Sequence, residues 1–469
     1  MFNKVKKIIT AVFLIGFLIQ TVPASASTAM INVDFNTPGK TISSNFCGTN
    51  AKGGTVNQWL GDYRYAQKTK YVNSSIVRFH DSISDDSAVN WRGWMDNQGY
   101  NWNRWKISVW ANEVRKLGSQ GINPEIMVTI PTYYSWMKTI KTYDSKNKLV
   151  STVLDPSEYN SFAFYANELV KIITIEEKIN LKYLQITNEL DFDYNTNLIE
   201  AGLPSKAGML ADLAIFTAKS LKSNYPNLKL GAPALARPDS IIGLDLMFDK
   251  FKNDGNKLFD FLGFHYYLTG SVFEDDNSIY NKSSGTLQYH FGNISSKLNQ
   301  RGLGYITPIL GEFNINWSGI DPRMQNMKGA IVDGLTFIEA AKLGVQTVMP
   351  WADMDNNFGR WDESFNDRPV IHVGNICSRF LNGTVYDSTS TDNNVQTLSL
   401  INKNGQKTVV FINRSSNPIK IQVNGVNPGA NFNWYQLDST ANYVREYTPN
   451  GYILNNLDLP ANSISVAVL

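Results

Sequence analysis

Cysteine is scarce in this sequence, and its scarcity excludes two classes of protein. Only Cys47 and Cys377 occur among 469 residues. The chain is therefore neither a disulfide-rich scaffold nor the carrier of a cysteine-rich metal site. A disulfide between the two cysteines and a pair of buried free thiols both remain open, because a chain of this size does not need a covalent link to fold.

An imbalance of charge is also missing. The 43 Lys and Arg residues nearly match the 41 Asp and Glu residues, and no basic block occurs, which argues against nucleic acid as a partner. Aromatic residues are plentiful instead, with 11 Trp, 22 Tyr and 24 Phe. This composition supports a large core and aromatic surfaces that contact a ligand.

Long apolar runs are missing except at the N-terminus. Lys4, Lys6 and Lys7 precede an apolar run at Ile8–Ile19, and the small residues Ala24–Ala26 follow it. This pattern predicts a signal peptide over residues 1–26 and a secreted, extracellular protein. No later run reaches that length, so we expect no membrane contact after cleavage. The sequence does not predict an oligomeric state.

Short β-rich runs alternate with helical stretches through residues 41–380, which predicts a (β/α)8 barrel of the TIM type. The predicted barrel strands are Ser43–Gly48, Ser75–His80, Glu125–Ile130, Tyr183–Thr187, Lys229–Ala232, Phe261–His265, Ile309–Gly311 and Val345–Trp351. Residues 381–469 alternate in short runs between turn residues and predict a C-terminal antiparallel β-sandwich. Residues 27–40 also alternate, and we expect them to form a strand of that sandwich.

In such a barrel, function lies at the C-terminal ends of the strands. Glu189 follows the fourth predicted strand and Glu312 follows the seventh, so their carboxyl groups can converge across the mouth of the barrel. Glycoside hydrolysis needs two carboxyl groups placed in this way. Other candidate site residues lie at matching strand ends, namely Arg78, Asn188, His265, Tyr267 and Trp351.

These residues resemble those of a known group of enzymes, the retaining (β/α)8 glycoside hydrolases of clan A. The shared features are Asn188–Glu189, Glu312, Arg78, the His265-x-Tyr267 pair and Trp351. Two segments are most similar to glycoside hydrolase family 39, namely Val77–His80 followed by Ser84–Asp86, and Gly311–Asn314. The chain departs from the β-xylosidases of that family at Leu190–Asp191, where they have Pro-Asn, and at Thr187, where they have Trp.

The resemblance implies roles for the two carboxyl groups. Glu189 is expected to act as general acid and then general base, with a raised pKa in the free enzyme. Glu312 is expected to be the nucleophile and to stay ionised, with Arg78 and Tyr267 stabilising its charge. His265 is expected to orient one of the carboxyl groups.

The resemblance also implies contacts with the sugar. Asn188 is expected to bind the 2-hydroxyl group, and Trp351 to form a platform under the ring. Further loop aromatics are candidates for stacking on sugar, namely Trp91, Trp94, Tyr100, Tyr133, Tyr134, Trp136 and Trp317, whereas Trp102, Trp105 and Val109 are expected on the core face of the second helix. Each site residue also has a purely structural interpretation: Arg78 pairing a buried acid, His265 in the core, and Trp351 packing at the rim.

Taken together, the sequence predicts a secreted retaining glycoside hydrolase. Its partner would be a carbohydrate polymer or oligosaccharide with β-linkages, with xylan or glucan types favoured, and it would need no metal and no organic cofactor. One alternative is a non-catalytic carbohydrate-binding barrel. The other is a metal-dependent hydrolase, for which only His80 and His265 stand at strand ends.

Overall fold

The computed structural model describes most of the chain beyond the predicted signal peptide, which lies outside the described residues. The described residues are 28–51, 62–80, 94, 101–143, 149–192, 194, 206–239, 241–427, 431–440, 443–447, 454 and 456–469. No helix within these ranges is long and apolar enough to cross a membrane.

The described elements alternate in the barrel region and become all-β after it. The strands are Thr28–Ile42 (β1), Gly48–Asn50 (β2), Ile76–Phe79 (β3), Glu125–Ile130 (β4), Thr139–Tyr143 (β5), Leu149–Leu154 (β6), Leu181–Ile186 (β7), Lys229–Leu235 (β8), Phe261–Thr269 (β9), Thr307–Asn316 (β10), Val348–Pro350 (β11), Gly383–Ser390 (β12), Val395–Ile401 (β13), Lys407–Asn413 (β14), Ile419–Asn424 (β15), Asn433–Leu437 (β16), Arg445–Tyr447 (β17), Leu457–Leu459 (β18) and Ser463–Val468 (β19). The α-helices are Tyr63–Val72 (α1), Arg104–Ser119 (α2), Tyr159–Lys171 (α3), Lys206–Asn224 (α4), Ile241–Asp254 (α5), Asp276–Gln300 (α6), Met327–Leu343 (α7) and Pro369–Phe380 (α8).

Eight parallel strands form the barrel, in the order β2, β3, β4, β7, β8, β9, β10, β11. The backbone amide of Val348 donates to the carbonyl oxygen of Phe46 at 2.8 Å, and a parallel bridge pairs Val348 with Cys47, so β11 meets the start of β2. The C-terminal ends of all eight strands therefore lie on one rim. The predicted fold, a (β/α)8 barrel with a C-terminal antiparallel β-sandwich, is confirmed.

The first barrel strand differs from its prediction. Residues 43–46 form a turn, in which the Ser43 side chain accepts from the amide of Asn45 at 3.1 Å and the Ser43 carbonyl accepts from the amide of Phe46 at 3.2 Å. Serine favours such local side-chain bonds over strand pairing. The strand therefore begins only at Gly48 and ends at Asn50.

The second region is a nine-stranded sheet in the order β17, β16, β19, β14, β13, β12, β1, β15, β18. Strand β1 pairs antiparallel with β12 and parallel with β15, so the chain passes through this sheet before entering the barrel. Side chains of β14 alternate between two cores: Val409 and Phe411 pack inside the sandwich, whereas Val410 and Ile412 belong to the core shared with the barrel.

Helix α7 lies between the barrel and this sheet. A Cβ atom on Gly334 would come within 2.8 Å of Ile464 and 2.9 Å of Ile412, so the absence of a side chain permits the close approach. The helix begins after Asn326, whose side chain accepts from the amide of Lys328 at 2.9 Å, and ends at Gly344 with φ of 77°. The helix therefore packs in the core that the barrel shares with one face of this sheet.

The two cysteines form a disulfide. Cys47 lies just before β2 and Cys377 lies on α8, and both are buried. The bond joins the first turn of the barrel to its last helix, across 330 residues of sequence. The structure thus selects one of the two alternatives that the sequence left open.

We expect the double variant Cys47→Ala/Cys377→Ala to lose about 2–5 kcal/mol of unfolding free energy, because the disulfide restricts the unfolded chain over a long loop. Urea unfolding measures the loss. A reducing agent should destabilise the wild-type protein and leave the double variant unchanged. Equal unfolding midpoints for the two proteins without reductant would contradict the expectation.

Candidate active site

Arg78 lies at the centre of the barrel mouth, on β3, with no exposed surface. Its guanidinium group donates four hydrogen bonds. Nη1 donates to Glu312 Oε1 at 2.8 Å and to Asn50 Oδ1 at 2.7 Å. Nη2 donates to Asn188 Oδ1 at 2.5 Å, and Nε donates to Thr129 Oγ1 at 2.9 Å. The buried positive charge is therefore bonded to groups from four other parts of the barrel.

Glu312 lies on β10 and is almost fully buried. Both of its carboxylate oxygens have donors: Arg78 bonds Oε1, and the hydroxyl group of Tyr267 donates to Oε2 at 3.0 Å. Burial and the nearby charge of Glu312 raise the pKa of Tyr267 well above its usual value, so this hydroxyl group remains a donor. An uncompensated buried carboxylate would cost several kcal/mol, and these two donors offset that cost.

Glu189 reaches the mouth through an unusual backbone. Thr187 and Glu189 both have left-handed conformations, with φ of 66° and 56°. Such conformations cost about 1–3 kcal/mol each in residues other than glycine. Backbone hydrogen bonds hold both residues in these conformations. The Ala234 amide donates to the Thr187 carbonyl at 3.2 Å, and the Glu189 amide donates to the Ala234 carbonyl at 2.9 Å. Between them, the Asn188 amide donates to the Pro131 carbonyl at 3.0 Å. The end of β8 thus holds the segment that carries Glu189.

His265, on β9, lies between the two carboxyl groups. Its Nδ1 is 2.6 Å from Glu189 Oε1 and 3.6 Å from Glu312 Oε2. One oxygen of each glutamate and one ring nitrogen of His265 all lie within 4.8 Å of one another. At least one pair of oxygens from the two carboxyl groups is therefore closer than the separation of roughly 6.5–9.5 Å that leaves room for a water molecule in an inverting enzyme.

These three groups could also be read as metal ligands. The charge of Glu312, however, is already matched by Arg78 at 2.8 Å, and its second oxygen accepts from Tyr267. A divalent ion bound here would be repelled by the guanidinium group of Arg78, which already pairs with Glu312, one of the three groups that would bind the ion. The donor set therefore fits a pair of carboxyl groups better than a metal centre.

The pKa of Glu189 differs in direction from its expected value. Burial raises the pKa of this carboxyl group, but the hydrogen bond from His265 and the charges of His265, His80 and Arg78 lower it by more. The net pKa lies below the usual value, whereas the sequence led us to expect a raised one. The cause is the 2.6 Å contact with His265, a distance that only the fold determines.

Trp351 follows β11 directly and is half-buried at the rim. Its backbone amide donates to the Phe313 carbonyl at 3.0 Å, and the Asn314 side chain donates to its carbonyl oxygen. The ring of His80 contacts the indole edge-on, with centroids 5.6 Å apart. The peptide bond from Trp351 to Ala352 is cis. The structure therefore places Trp351 beside the strand that carries Glu312.

The loop aromatics are divided between the core and the surface. Trp94 is fully buried against Trp110, with ring centroids 4.9 Å apart, and Tyr134 is also buried, so neither Trp94 nor Tyr134 can stack on a sugar.

Trp105 is 69% exposed, so its expected place on the core face of the helix is wrong. The helix begins at Arg104, and its buried face holds Ile107, Trp110 and Leu117 instead. Trp91 and Tyr100 lie outside the described residues.

Three polar residues of this site are not among those predicted from the sequence. Asn50 ends β2 and was hidden by the misplaced first strand, while Thr129 is the single hydroxyl residue within the buried part of β4. From the sequence, Asp191 is only a departure from the pattern of the β-xylosidases. Its oxygens accept from the backbone amides of Ala236 at 3.0 Å and Arg237 at 2.7 Å. It therefore joins the segment after Glu189 to the segment after β8.

Comparisons with known proteins agree with this fold. Residues 385–465 match the β-sandwich domain of glycosyl hydrolase family 30. A family 30 endoxylanase from Clostridium papyrosolvens C71 shares 16% identity at a TM-score of 0.62, covering 94% of this chain and 99% of that one. A family 51 arabinofuranosidase from Xanthomonas axonopodis pv. citri shares 14% identity at a TM-score of 0.65, covering 94% of this chain and 99% of that one.

A family 44 xyloglucanase from Paenibacillus polymyxa is also similar, with 14% identity, a TM-score of 0.63 and coverage of 95% and 100%. No curated protein matches the chain. These likenesses show the fold shared with clan A glycoside hydrolases and do not single out family 39.

We expect Arg78→Met to lower the free energy of unfolding by about 3–5 kcal/mol, because it leaves the Glu312 carboxylate buried without its cation. The double variant Arg78→Met/Glu312→Gln should be more stable than Arg78→Met alone, since the unpaired charge is gone. Urea unfolding of each variant gives these values. Arg115→Met is the control, because the Arg115 side chain is 45% exposed where it pairs with Glu177, so its loss should cost less than about 1 kcal/mol. Equal losses for Arg78→Met and Arg115→Met would contradict the expectation.

Asp191 makes the free energy of unfolding depend on pH. Burial, and to a smaller extent the charge of Glu189, raise the pKa of its carboxyl group to about 6, while the two backbone amides oppose that rise. The folded protein then retains a proton that the unfolded chain releases near pH 4. The resulting stability is present below about pH 4 and is lost as the pH rises to about 6, a change of up to about 3 kcal/mol.

In Asp191→Asn, we therefore expect the unfolding free energy to fall less between pH 4 and pH 7 than in the wild-type protein. Urea unfolding at both pH values gives the difference. Asp458→Asn is a control at an exposed strand position and should keep the wild-type dependence. An unchanged dependence in Asp191→Asn would show that Asp191 titrates as it does in the unfolded chain.

Proposed function

We propose that this protein is a secreted retaining glycoside hydrolase that cleaves β-glycosidic bonds in polysaccharides or oligosaccharides, with xylan- or glucan-type chains as the favoured substrates. The observation that carries the proposal is the pair Glu189 and Glu312, with one oxygen of each within 4.8 Å and separate donors bound to each. That spacing suits a double displacement.

In the first step, a Glu312 oxygen attacks the anomeric carbon while the bond to the leaving oxygen breaks. Glu189 gives its proton to that leaving oxygen, and a covalent glycosyl-enzyme ester forms on Glu312. Arg78 and Tyr267 hold Glu312 in place and stabilise its charge before the attack. In the second step, Glu189 takes a proton from water, the water oxygen attacks the same carbon, and Glu312 leaves as a carboxylate.

The low pKa of Glu189 in the free protein requires that its proton be secured when substrate binds. His265 Nδ1 lies 2.6 Å from Glu189 Oε1, so a proton can be held between these two atoms. A sugar in the mouth excludes water from the Glu189 carboxyl group, and this loss of solvation favours the protonated form. His265 thus acts as a positioning residue for the Glu189 carboxyl group.

Asn188 is oriented for contact with the sugar. Its side-chain oxygen accepts from Arg78 Nη2 at 2.5 Å, so its amide nitrogen must face away from Arg78. That nitrogen is free to donate to the 2-hydroxyl oxygen of a sugar beside Glu312. Trp351, next to the strand of Glu312, provides a ring face for the same sugar.

The comparisons support the substrate class. The similar structures are named as an endoxylanase, an arabinofuranosidase and a xyloglucanase, and these names all refer to carbohydrate substrates. Membership of clan A is supported by the fold and the motifs together, whereas family 39 rests on the sequence motifs alone. Export is supported by the charged and apolar pattern of residues 1–26.

The test separates the two glutamates by their chemical roles. Glu189→Ala should strongly slow substrates with poor leaving groups yet still form the glycosyl-enzyme from an activated aryl glycoside, because a good leaving group needs little protonation. Azide should then restore turnover and give a glycosyl azide with the anomeric configuration of the substrate. Rescue of Glu312→Ala by azide should give the opposite anomer. Nuclear magnetic resonance of the products identifies each anomer.

Exchanged anomers in the two variants would reverse the assignment of roles. Full activity in either variant would exclude the two-carboxylate mechanism, and inactivity of the wild-type protein on aryl glycosides and polysaccharides alike would favour a non-catalytic carbohydrate-binding barrel. Loss of wild-type activity with a chelating agent would instead favour a metal-dependent hydrolase.

A further inference from the structure

Two loops on the rim of the barrel expose apolar side chains next to the strands of the candidate site. Val272 and Phe273 follow β9 and are 43% and 94% exposed, while Trp317 and Ile320 follow β10 and are 68% and 58% exposed. We call these four residues the rim platform. Single exposed apolar residues are common, but a cluster on two adjoining loops marks a contact surface.

Within the rim platform, Trp317 packs directly against the backbone of Gly270. A Cβ atom on Gly270 would lie 2.6 Å from the indole ring, so only a residue without a side chain lets the ring rest against the backbone there. The Trp317 amide also donates to the Thr269 carbonyl at 3.1 Å, and the Ser318 hydroxyl group donates to the Gly270 carbonyl at 2.7 Å. One side of the indole is therefore packed and the other is open.

A buried arginine holds the two loops together. Arg323 donates from Nη2 to the Ser271 carbonyl at 3.1 Å and from Nη1 to the Glu274 carbonyl at 2.5 Å. Its guanidinium group also pairs with Asp321, at 2.6 Å from Oδ2. Arg323 is 7% exposed, so these bonds are protected from water. The rim platform is therefore preorganised, and binding to it requires little ordering of the protein.

The rim platform is continuous with the candidate site. Strand β9 carries His265 and Tyr267 and leads into Gly270, and strand β10 carries Glu312 and leads into Trp317. At about 3.3 Å per residue, Trp317 lies about 16 Å along the chain from Glu312. A linear chain of several sugar rings, seated with one bond at the two glutamates, spans such a distance.

We propose that the rim platform binds further sugar rings of a polysaccharide chain whose cleaved bond lies at Glu189 and Glu312, so that the protein acts on polymers rather than on single glycosides. The proposal rests on the proposed function. Pyranose rings with equatorial hydroxyl groups present flat C–H faces, which suit an open indole and phenyl surface. Four side chains are too few for a stable dimer interface, which buries about 1,200–2,000 Å² in total.

The test compares Trp317→Ala and Gly270→Ala with the wild-type protein. Gly270→Ala keeps Trp317 but forces its ring off the backbone, and Gly270 has no left-handed φ that would make alanine costly. We expect both variants to lower kcat/KM about tenfold on soluble xylan or β-glucan, while their turnover of aryl glycosides stays within about twofold of wild type. Phe164→Ala is the matched control, because Phe164 is 63% exposed on α3 of the outer helix ring.

Binding measured without turnover distinguishes failure of this proposal from failure of the proposed function. In the Glu312→Gln background, affinity electrophoresis in gels containing xylan or β-glucan should show weaker retardation when Trp317→Ala or Gly270→Ala is added. Unchanged retardation and unchanged kcat/KM on polymers would overturn the rim platform and leave the glycosidase proposal standing. A change of sedimentation coefficient in Trp317→Ala, or loss of binding to lipid vesicles, would assign the surface to a second copy or to a membrane instead.

Discussion

The buried ion pair of Arg78 with Glu312 is the interaction on which the candidate site depends. Two buried charges each cost several kcal/mol in lost hydration, and their mutual attraction offsets this only when other donors and acceptors complete the set. Here Asn50, Thr129 and Asn188 supply the acceptors for Arg78. These groups come from different strands, so the set is complete only when the barrel is closed in register. The site is thus coupled to the folding of the whole barrel.

Much of this arrangement could be predicted from the sequence, because a parallel barrel brings the ends of its strands to one rim. The contacts of Arg78 with Glu312 and Asn188, of Tyr267 with Glu312, and of His265 with Glu189 all follow from that rule. The contribution of Asn50 could not be predicted, because the sequence places the first strand at Ser43–Gly48, whereas the strand in the structure is Gly48–Asn50. Nor could the backbone of Glu189, since left-handed φ values in Thr187 and Glu189 carry no sequence signature and depend on hydrogen bonds to β8.

The pKa of Glu189 in the free protein is lowered, whereas its proposed role as a general acid calls for a raised one. A general acid needs a proton near neutral pH, yet the contact with His265 lowers the pKa of this carboxyl group in the free protein. Burial acts in the opposite direction, so the balance is sensitive to whatever water a bound sugar displaces. The nearby Asp191, whose pKa is raised to about 6, adds a third ionisable group that changes charge as the medium becomes mildly acidic. Under the proposed function, substrate and pH therefore both change the protonation of one small group of carboxyl groups.

Strand ends that carry the candidate site, with loops that extend beyond them, allow one fold to accommodate several substrates. The similar structures are named as an endoxylanase, an arabinofuranosidase and a xyloglucanase, although they share most of this chain's architecture. In the proposed mechanism the central residues act on a single anomeric carbon, and nothing in their chemistry depends on the sugars further along. Selection among polymers must therefore come from loops beyond the strand ends. The loops after β9 and β10 show how this can be achieved at little cost to the centre, because Arg323 fixes them through its own buried bonds, which do not involve Arg78 or Glu312.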